Sequence, residues 1–332
     1  METFEREFAD YCGVAHGVGV GSGTTALELI FRAYGIGAGD EVIVPANTSV
    51  ATAMAVSFVG ATPVIVDVDP RTANIDPAST EAAIGSRTKA IVPVHLWGRP
   101  APMDEILALA RKHKVLVIED AAQAHGARYR GRRVGGFGDA SAFSLHPSKN
   151  LGGLGEAGIV LTDDRAIAQV IGELRDIGQT ARYVHSRVGT NGRLDPLHAA
   201  VLSAKLRHLD DWNGARRATA ARYTEAFAGT AVRTPQFDEH EFAVFHLFVV
   251  EVPEREKICA ALDAAQIDWG IHYPTPIQRQ PAYAGASIAP RPTPHADALA
   301  GRILSLPMFA EITPAEVDRV VATVLAALTP GA

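Results

Sequence analysis

Val117-Ile118-Glu119-Asp120-Ala121-Ala122-Gln123 ends a short apolar run, read as a strand over Val115 to Glu119, that stops abruptly at two acids. A run of that length reads as a strand buried on both faces, the pattern of a parallel sheet. Similar runs recur on either side of it. Upstream are Glu41-Val42-Ile43-Val44, ended by Pro45, then Pro63 to Val68 and Ala90 to Val94; downstream are Ser141 to Leu145 and Gly158 to Leu161. Helical spacing fills the gaps. Thr24 to Ala33 puts Ala26, Leu27, Ile30 and Ala33 on one face, with Gly35 and Gly37 as stops. Further helices are expected at Ala51 to Val59, Pro77 to Ile84, Met103 to Lys112 and Asp163 to Ile177. This alternation predicts an α/β fold with a mostly parallel sheet flanked by helices. Such sheets place ligands at the carboxyl ends of their strands, where Glu119 and Asp120 fall.

The pattern changes after Gly229. Phe245 to Val252 reads as a strand, Arg255 to Ala265 as a helix and Pro314 to Leu328 as the last helix, while Pro and His are frequent from His272 to His295. The expectation is a large domain over residues 1–228 and a smaller α+β domain over 229–332. Gly178 to Asp195 has weak periodicity and reads as a long excursion of the kind that often carries function.

Composition narrows the function. The 332 residues carry a net charge of -6 and 47% hydrophobic side chains. A sizeable core is available, and no basic run suggests a nucleic-acid partner. The two cysteines, Cys12 and Cys259, form no CxxC pair, so neither a zinc site nor a disulfide framework is expected. His95, His125 and His146 lie in separate loops without ligand spacing, and no metal is expected. Met1-Glu2-Thr3-Phe4-Glu5 lacks the basic start and apolar core of a signal peptide. No apolar run approaches the roughly 20 residues of a membrane span. A cytoplasmic setting is expected.

Three stretches carry candidate chemistry. In Phe143-Ser144-Leu145-His146-Pro147-Ser148-Lys149-Asn150-Leu151-Gly152-Gly153, a lysine sits between a strand and a glycine-rich turn. It is either a solvated surface lysine or, with a lowered pKa, an amine able to form a Schiff base with an aldehyde cofactor. Asp120, at its strand end, suits either an N-cap or a carboxylate facing a protonated ring nitrogen. Val18-Gly19-Val20-Gly21-Ser22-Gly23-Thr24-Thr25 leads small residues and hydroxyls into a helix, a place for a phosphate or for a plain turn and cap. A dinucleotide fingerprint fits poorly, because the motif ends at Thr24 rather than Gly or Ala.

Taken together, these stretches resemble the DegT/DnrJ/EryC1/StrS family of sugar aminotransferases that use pyridoxal 5'-phosphate (PLP). The likeness also runs through Gly39-Asp40-Glu41-Val42-Ile43-Val44-Pro45, Gly60-Ala61-Thr62-Pro63-Val64, Pro93-Val94-His95-Leu96-Trp97-Gly98, Glu119-Asp120-Ala121-Ala122-Gln123-Ala124-His125-Gly126, Asn191-Gly192-Arg193-Leu194-Asp195 and His272-Tyr273-Pro274. The resemblance implies the aspartate-aminotransferase type of fold, fold type I. It implies that Lys149 bonds the cofactor and shuttles protons, that Asp120 pairs with the pyridine nitrogen, and that Gln123 contacts the ring-hydroxyl side. Gly23, Thr24, Thr25 and Ser144 would hold the phosphate. Asn191 would reach the phosphate of a neighbouring subunit, which makes a homodimer the expected state. Substrate contacts are expected from His95, Trp97, His146, Arg193, His272 and Tyr273, with the two aromatics as walls of the sugar pocket. Arg193 suits a phosphate, a donor carboxylate or a structural ion pair.

The implied reaction moves an amino group from glutamate or glutamine to a keto sugar, a nucleotide-linked 3-keto-6-deoxyhexose being the reading favoured by the Lys149 and His272 stretches. Alternatives are a keto-inositol substrate, a PLP-dependent sugar dehydratase, against which retention of Lys149 argues, and a PLP-binding regulator without turnover. The sequence departs from the family at three places. Ser49 stands where an aromatic often stacks on the cofactor, and His198 where Gln is usual. The chain also begins near the family's Glu-x-Phe-Glu segment, without the lead-in that helps form the substrate pocket and dimer.

Overall fold

The computed structural model describes residues 1–285 and 290–329; residues 286–289, inside the Pro- and His-rich stretch, lie outside the described residues, as do 330–332. The sheet strands are β1 His16–Val20, β2 Glu41–Pro45, β3 Thr62–Val66, β4 Thr88–Ile91, β5 Leu116–Asp120, β6 Ala140–Ser144 and β7 Gly158–Thr162. They lie in the order β1-β7-β6-β5-β4-β2-β3. The neighbours from β6 through β3 run parallel, whereas β7 is antiparallel to both β6 and β1. The α/β expectation therefore holds, with β7 the one reversed strand of this sheet. The apolar runs are continuous because helices bury both faces, as the full burial of β2 and β7 illustrates.

Two of the five residues of β1 are glycines, and the structure explains them. A Cβ on Gly17 would lie 2.5 Å from the Glu5 carbonyl oxygen, and one on Gly19 would lie 2.8 Å from Leu194. The helix Glu2–Cys12 packs that closely, burying Phe4 and Phe8. Glu5 then accepts the Gly19 N–H at 2.7 Å and pairs with Arg175.

The second core gathers Tyr223, Phe227, Phe248, Ile258, Leu262, Val320 and Val324. Tyr223 stacks on Phe248 with ring centroids 4.9 Å apart. Phe248–Glu251 pairs antiparallel with Ile303–Leu306, and the helices Arg255–Ala264 and Pro314–Leu328 cover them. The last helix starts in a capping box, Thr313 with Glu316. The strand expected from Phe245 begins only at Phe248, because Phe245 sits at φ 47 and turns the chain. Two helices without clear apolar periodicity, Pro196–Leu206 and Leu209–Ala226, link the regions. Among the described residues no helix is long and apolar enough to cross a membrane.

At the carboxyl end of the sheet, loop and strand approach so closely that Gly158 is obligatory: an added Cβ would lie 2.4 Å from the Ser22 carbonyl. Gly158→Ala is expected to lower stability by about 1–3 kcal/mol, the usual cost of overpacking. Gly172, within the helix Arg165–Arg175, has nothing within 4 Å of such a Cβ. Gly172→Ala is expected to add about 0.5–1 kcal/mol through helix propensity. Denaturant unfolding of the two variants checks both signs.

Candidate active site

The pocket at the carboxyl ends of the strands is built from loops that the sheet brings together. Ser22 to Thr24 follow β1, Thr48 and Ser49 follow β2, Asp120 to Gln123 end β5, and Ser144 to Lys149 follow β6. Tyr273 closes the pocket from the C-terminal region.

Asp120 is buried at the floor. Its Oδ2 accepts the Thr52 hydroxyl at 2.8 Å and its Oδ1 accepts the Ala122 N–H at 3.1 Å. Burial pushes its pKa up, and these bonds together with Lys149 and His95 only partly oppose that. A carboxylate in this state gains from a cationic partner in the pocket. Lys149 shares the pocket. Burial lowers its pKa, while the charges of Asp120 and Glu156 push the other way. No hydrogen bond holds its Nζ among the described residues, so its amine is free to react.

Gln123 is fixed on both sides. Its Oε1 accepts the Trp97 N–H at 2.6 Å and its Nε2 donates to the Tyr273 hydroxyl at 3.0 Å, leaving one N–H of the amide for a ligand. Trp97, at φ 59, donates its indole N–H to the His272 carbonyl at 3.0 Å. Trp97 thus sets Gln123 and ties in the segment that carries Tyr273. His272 Nδ1 lies 2.8 Å from the Ser305 hydroxyl.

The helix Gly23–Ala33 points its N-terminus into the pocket. Ser22 caps it, with Oγ accepting the Thr25 N–H at 3.1 Å. The Thr25 hydroxyl also contacts Ser22, at 3.0 Å, so Thr25 serves mainly the cap. The Gly23 and Thr24 N–H groups remain for an anion. A Cβ on Gly23 would lie 2.8 Å from Ser144 Cβ, so glycine here brings the Ser144 side chain against the helix end. At the rim, His146 Nδ1 accepts the Ser148 N–H at 3.2 Å and its Nε2 lies 3.7 Å from Glu156.

Thr25, Trp97 and His272 do not line the pocket themselves, and three more expected residues lie elsewhere. His95 is fully buried, its Nδ1 accepts the Ala101 N–H at 2.9 Å, and its Nε2 donates to Glu119 at 2.9 Å. Both ring nitrogens are used, which rules out the substrate contact expected of His95; it ties the Trp97 loop to β5. Asn191 and Arg193 are exposed and outside the pocket of their own chain. Arg193 pairs with Asp176 and donates to Asn191 Oδ1 at 2.7 Å. Ser22, Thr52 and Glu156 belong to the site without having been singled out. Thr52 had a signal: it is a lone hydroxyl on the buried face of the helix Val50–Phe58.

With this geometry in place the comparisons are specific. The model of the DegT/DnrJ/EryC1/StrS aminotransferase family matches residues 1–325. The chain belongs to that family. It is 48% identical to the Saccharopolyspora erythraea erythromycin biosynthesis sensory transduction protein EryC1, over 98% of this chain and 89% of that one. It is 47% identical to the Streptomyces venezuelae dTDP-3-amino-3,4,6-trideoxy-alpha-D-glucose transaminase, over 93% and 82%. The X-ray structure of S. venezuelae DesV in complex with a ketimine intermediate matches with a TM-score of 0.96 at 45% identity, over 99% and 90% of the two chains. More distant solved relatives, 30% and 26% identical, carry pyridoxamine phosphate and are in a PLP form.

This family member is an aminotransferase, and its cofactor is PLP. The pocket fits that cofactor. Among the described residues the buried carboxylate makes no ion pair, an unbonded lysine shares the same pocket, and a helix N-terminus with a glycine-enforced close approach suits a phosphate.

Behind Lys149 lie buried imidazoles whose burial fixes a pH dependence. Burial pushes His125 down to about 3, His246 well below the usual histidine value, and His272 down more mildly. The unfolded chain binds protons at these groups below about pH 6.5, whereas the folded chain resists them. Stability is thus full above pH 6.5 and falls as pH drops from 6.5 toward 4. Denaturant midpoints at pH 7.5, 6 and 5 should decrease in that order, and His125→Phe should flatten the slope.

Proposed function

We propose that this enzyme moves an amino group from glutamate or glutamine to a nucleotide-linked keto sugar, a 3-keto-6-deoxyhexose, and works as a homodimer. The observation that carries the reading is the facing pair in one pocket: Lys149 with its lowered proton affinity, and the buried Asp120. The sugar rests on relatives named as transaminases of dTDP-linked amino sugars and as a UDP-N-acetyl-3-dehydro-alpha-D-glucosamine 3-aminotransferase, 46–47% identical to this chain.

When bound, PLP supplies an aldehyde that links amines covalently and a ring that takes up the electron pair released at the donor's α-carbon. Lys149 Nζ is the group placed to hold that aldehyde. The same Nζ would be the group to take up and return the donor's α-proton, a role that needs the uncharged amine favoured by burial. Asp120 would hold a proton on the ring nitrogen, its carboxylate fixed by the Thr52 hydroxyl and the Ala122 N–H. The second Nε2 proton of Gln123 serves the ring hydroxyl. Gly23 and Thr24 N–H groups with the Ser144 hydroxyl take the phosphate, and Thr25 supports them through the cap.

His146 and Tyr273 line the pocket and would contact the sugar, whereas Trp97 and His272 act on it through Gln123 and the segment that carries Tyr273. Asn191 and Arg193 face outward from their own chain, which suits action in the pocket of a second subunit. Tyr183, Val188 and Leu197 are exposed apolar neighbours of that segment, and a subunit interface would cover them. The regulatory reading draws on the name of EryC1, a sensory transduction protein. The retained pair Lys149 and Asp120 supports turnover instead, and glutamate should convert the visible absorbance of the holoenzyme to that of the amine form of the cofactor.

Borohydride reduction followed by peptide mapping should place the cofactor on Lys149. Lys149→Ala should lose that attachment and slow amino transfer by at least about 10²–10⁴, the range of a general acid–base group. Attachment to another side chain would overturn the assignment. A screen of keto-sugar nucleotides against the amine form, with mass analysis of the product, tests the sugar.

A further inference from the structure

Five buried polar atoms without a hydrogen-bond partner fall on four residues behind Lys149: both ring nitrogens of His125, Nδ1 of His246, Nε of Arg216 and Oδ1 of Asn150. These residues form one neighbourhood. Asn150, next to Lys149, donates from Nδ2 to Asn213 at 2.9 Å and to the Val244 carbonyl at 3.0 Å. Asn213 donates in turn to the His125 carbonyl at 2.8 Å. Arg216, one turn further along the same helix, donates from one terminal nitrogen to the carbonyls of Phe245, His246 and Met308 at 3.2, 3.4 and 3.0 Å. The Ser144 backbone also acts on the His125 ring, which packs beside Phe143 and Phe8 with ring centroids 5.3 and 6.3 Å away.

Each such atom, left bare, costs about 1–3 kcal/mol. The set mixes donors and acceptors. Arg216 Nε only donates, Asn150 Oδ1 only accepts, and a neutral His125 ring presents one of each. An anion cannot serve Asn150 and a cation cannot serve Arg216. Water serves both, and at about three bonds per buried water five atoms need roughly two molecules.

We propose that His125, His246, Arg216 and Asn150 enclose a buried water site directly behind Lys149, and that His246 acts through this water as a positioning residue that solvates the Lys149 nitrogen. The inference rests on the reading that Lys149 carries the cofactor. The charged or titratable groups acting on Lys149 are Asp120, Glu156, His125, His246 and His272; those acting on His246 are Lys149, Arg216, His125 and His272. The imidazoles stay neutral, so what they offer the nitrogen through water is dipoles rather than charge. Loss of that solvation makes a positive nitrogen less stable and lowers its proton affinity.

The test compares holoenzyme with His246→Leu and His246→Gln, reading the pH midpoint of the visible absorbance of the lysine-linked cofactor. Leucine cannot bond the water and glutamine can. His246→Leu should lower the midpoint by about one pH unit, a tenfold change in proton affinity, and His246→Gln should restore it. An unmoved midpoint in His246→Leu, or equal shifts in both variants, overturns the proposal. If His246→Leu fails to fold, a high-resolution crystal structure of the unchanged protein decides: water bonded to His246 Nδ1 and Arg216 Nε supports the site, and its absence overturns it. Peptide mapping of the unchanged holoenzyme separates this failure from that of the parent reading, which falls only if the cofactor is not on Lys149.

Discussion

A carboxylate buried at the end of a parallel strand is costly unless a cation meets it, and Asp120 is in that position. Much of the site can be read as support for this one group. β5 carries it between β4 and β6, so its main chain cannot move without breaking the sheet. Its N–H bonds the Pro93 carbonyl at 2.9 Å and its carbonyl accepts the His95 N–H at 3.0 Å. Glu119 beside it accepts the N–H groups of Gly135, Phe137 and Gly138 at 2.7, 2.7 and 2.8 Å as well as the His95 ring. Burial raises the Glu119 pKa, but these donors, His95 first, outweigh it and hold the acid ionised. The two neighbouring acids thus divide the work: Glu119 is satisfied within the protein, and Asp120 keeps capacity for a ligand.

The same constraint reaches the second core through the loop after β4. Trp97 in its left-handed conformation serves Gln123 with its main chain and His272 with its indole. The carbonyls of Trp97 and Gly98 accept N–H groups of Leu247 and Val244 at 3.3 and 2.9 Å. Gly98 has φ 91, and a Cβ there would lie 2.9 Å from the main-chain nitrogens of Phe245 and His246, so only glycine permits the approach. Arg99 adds a two-pronged ion pair to Glu241, at 2.8 and 2.6 Å. A short loop therefore connects Gln123 on the sheet to the C-terminal wall of the pocket.

What the sequence made legible follows from burial. Strands buried on both faces are unbroken apolar runs, so β2 to β7 were readable as elements, though β4 was placed at Ala90 to Val94 and lies at Thr88–Ile91, and β3 at Pro63 to Val68 and lies at Thr62–Val66. β1 was obscured by Gly17 and Gly19, which serve contacts with Glu5 and Leu194 distant in sequence. The helix Leu209–Ala226 was hidden because Asn213, Arg216 and Thr219 lie on its buried face and break the apolar period. Lys149 and Asp120 could be singled out as candidates because each lies at or just past a strand end, but a surface lysine and an N-cap stayed open on the residues alone, and Gln123 came only with the family resemblance. His95 misled because sequence carries no record of where a ring's two nitrogens bond. Thr52 was legible only once its helix was placed under Asp120.

If Asp120 meets the cofactor as proposed, it keeps the ring nitrogen protonated. Nitrogen NMR of holoenzyme loaded with PLP labelled at the pyridine nitrogen tests this directly. The unchanged enzyme should show the chemical shift of a protonated pyridine and Asp120→Asn that of a neutral one. A neutral ring nitrogen in the unchanged enzyme, or the same protonated signal in both, would contradict it.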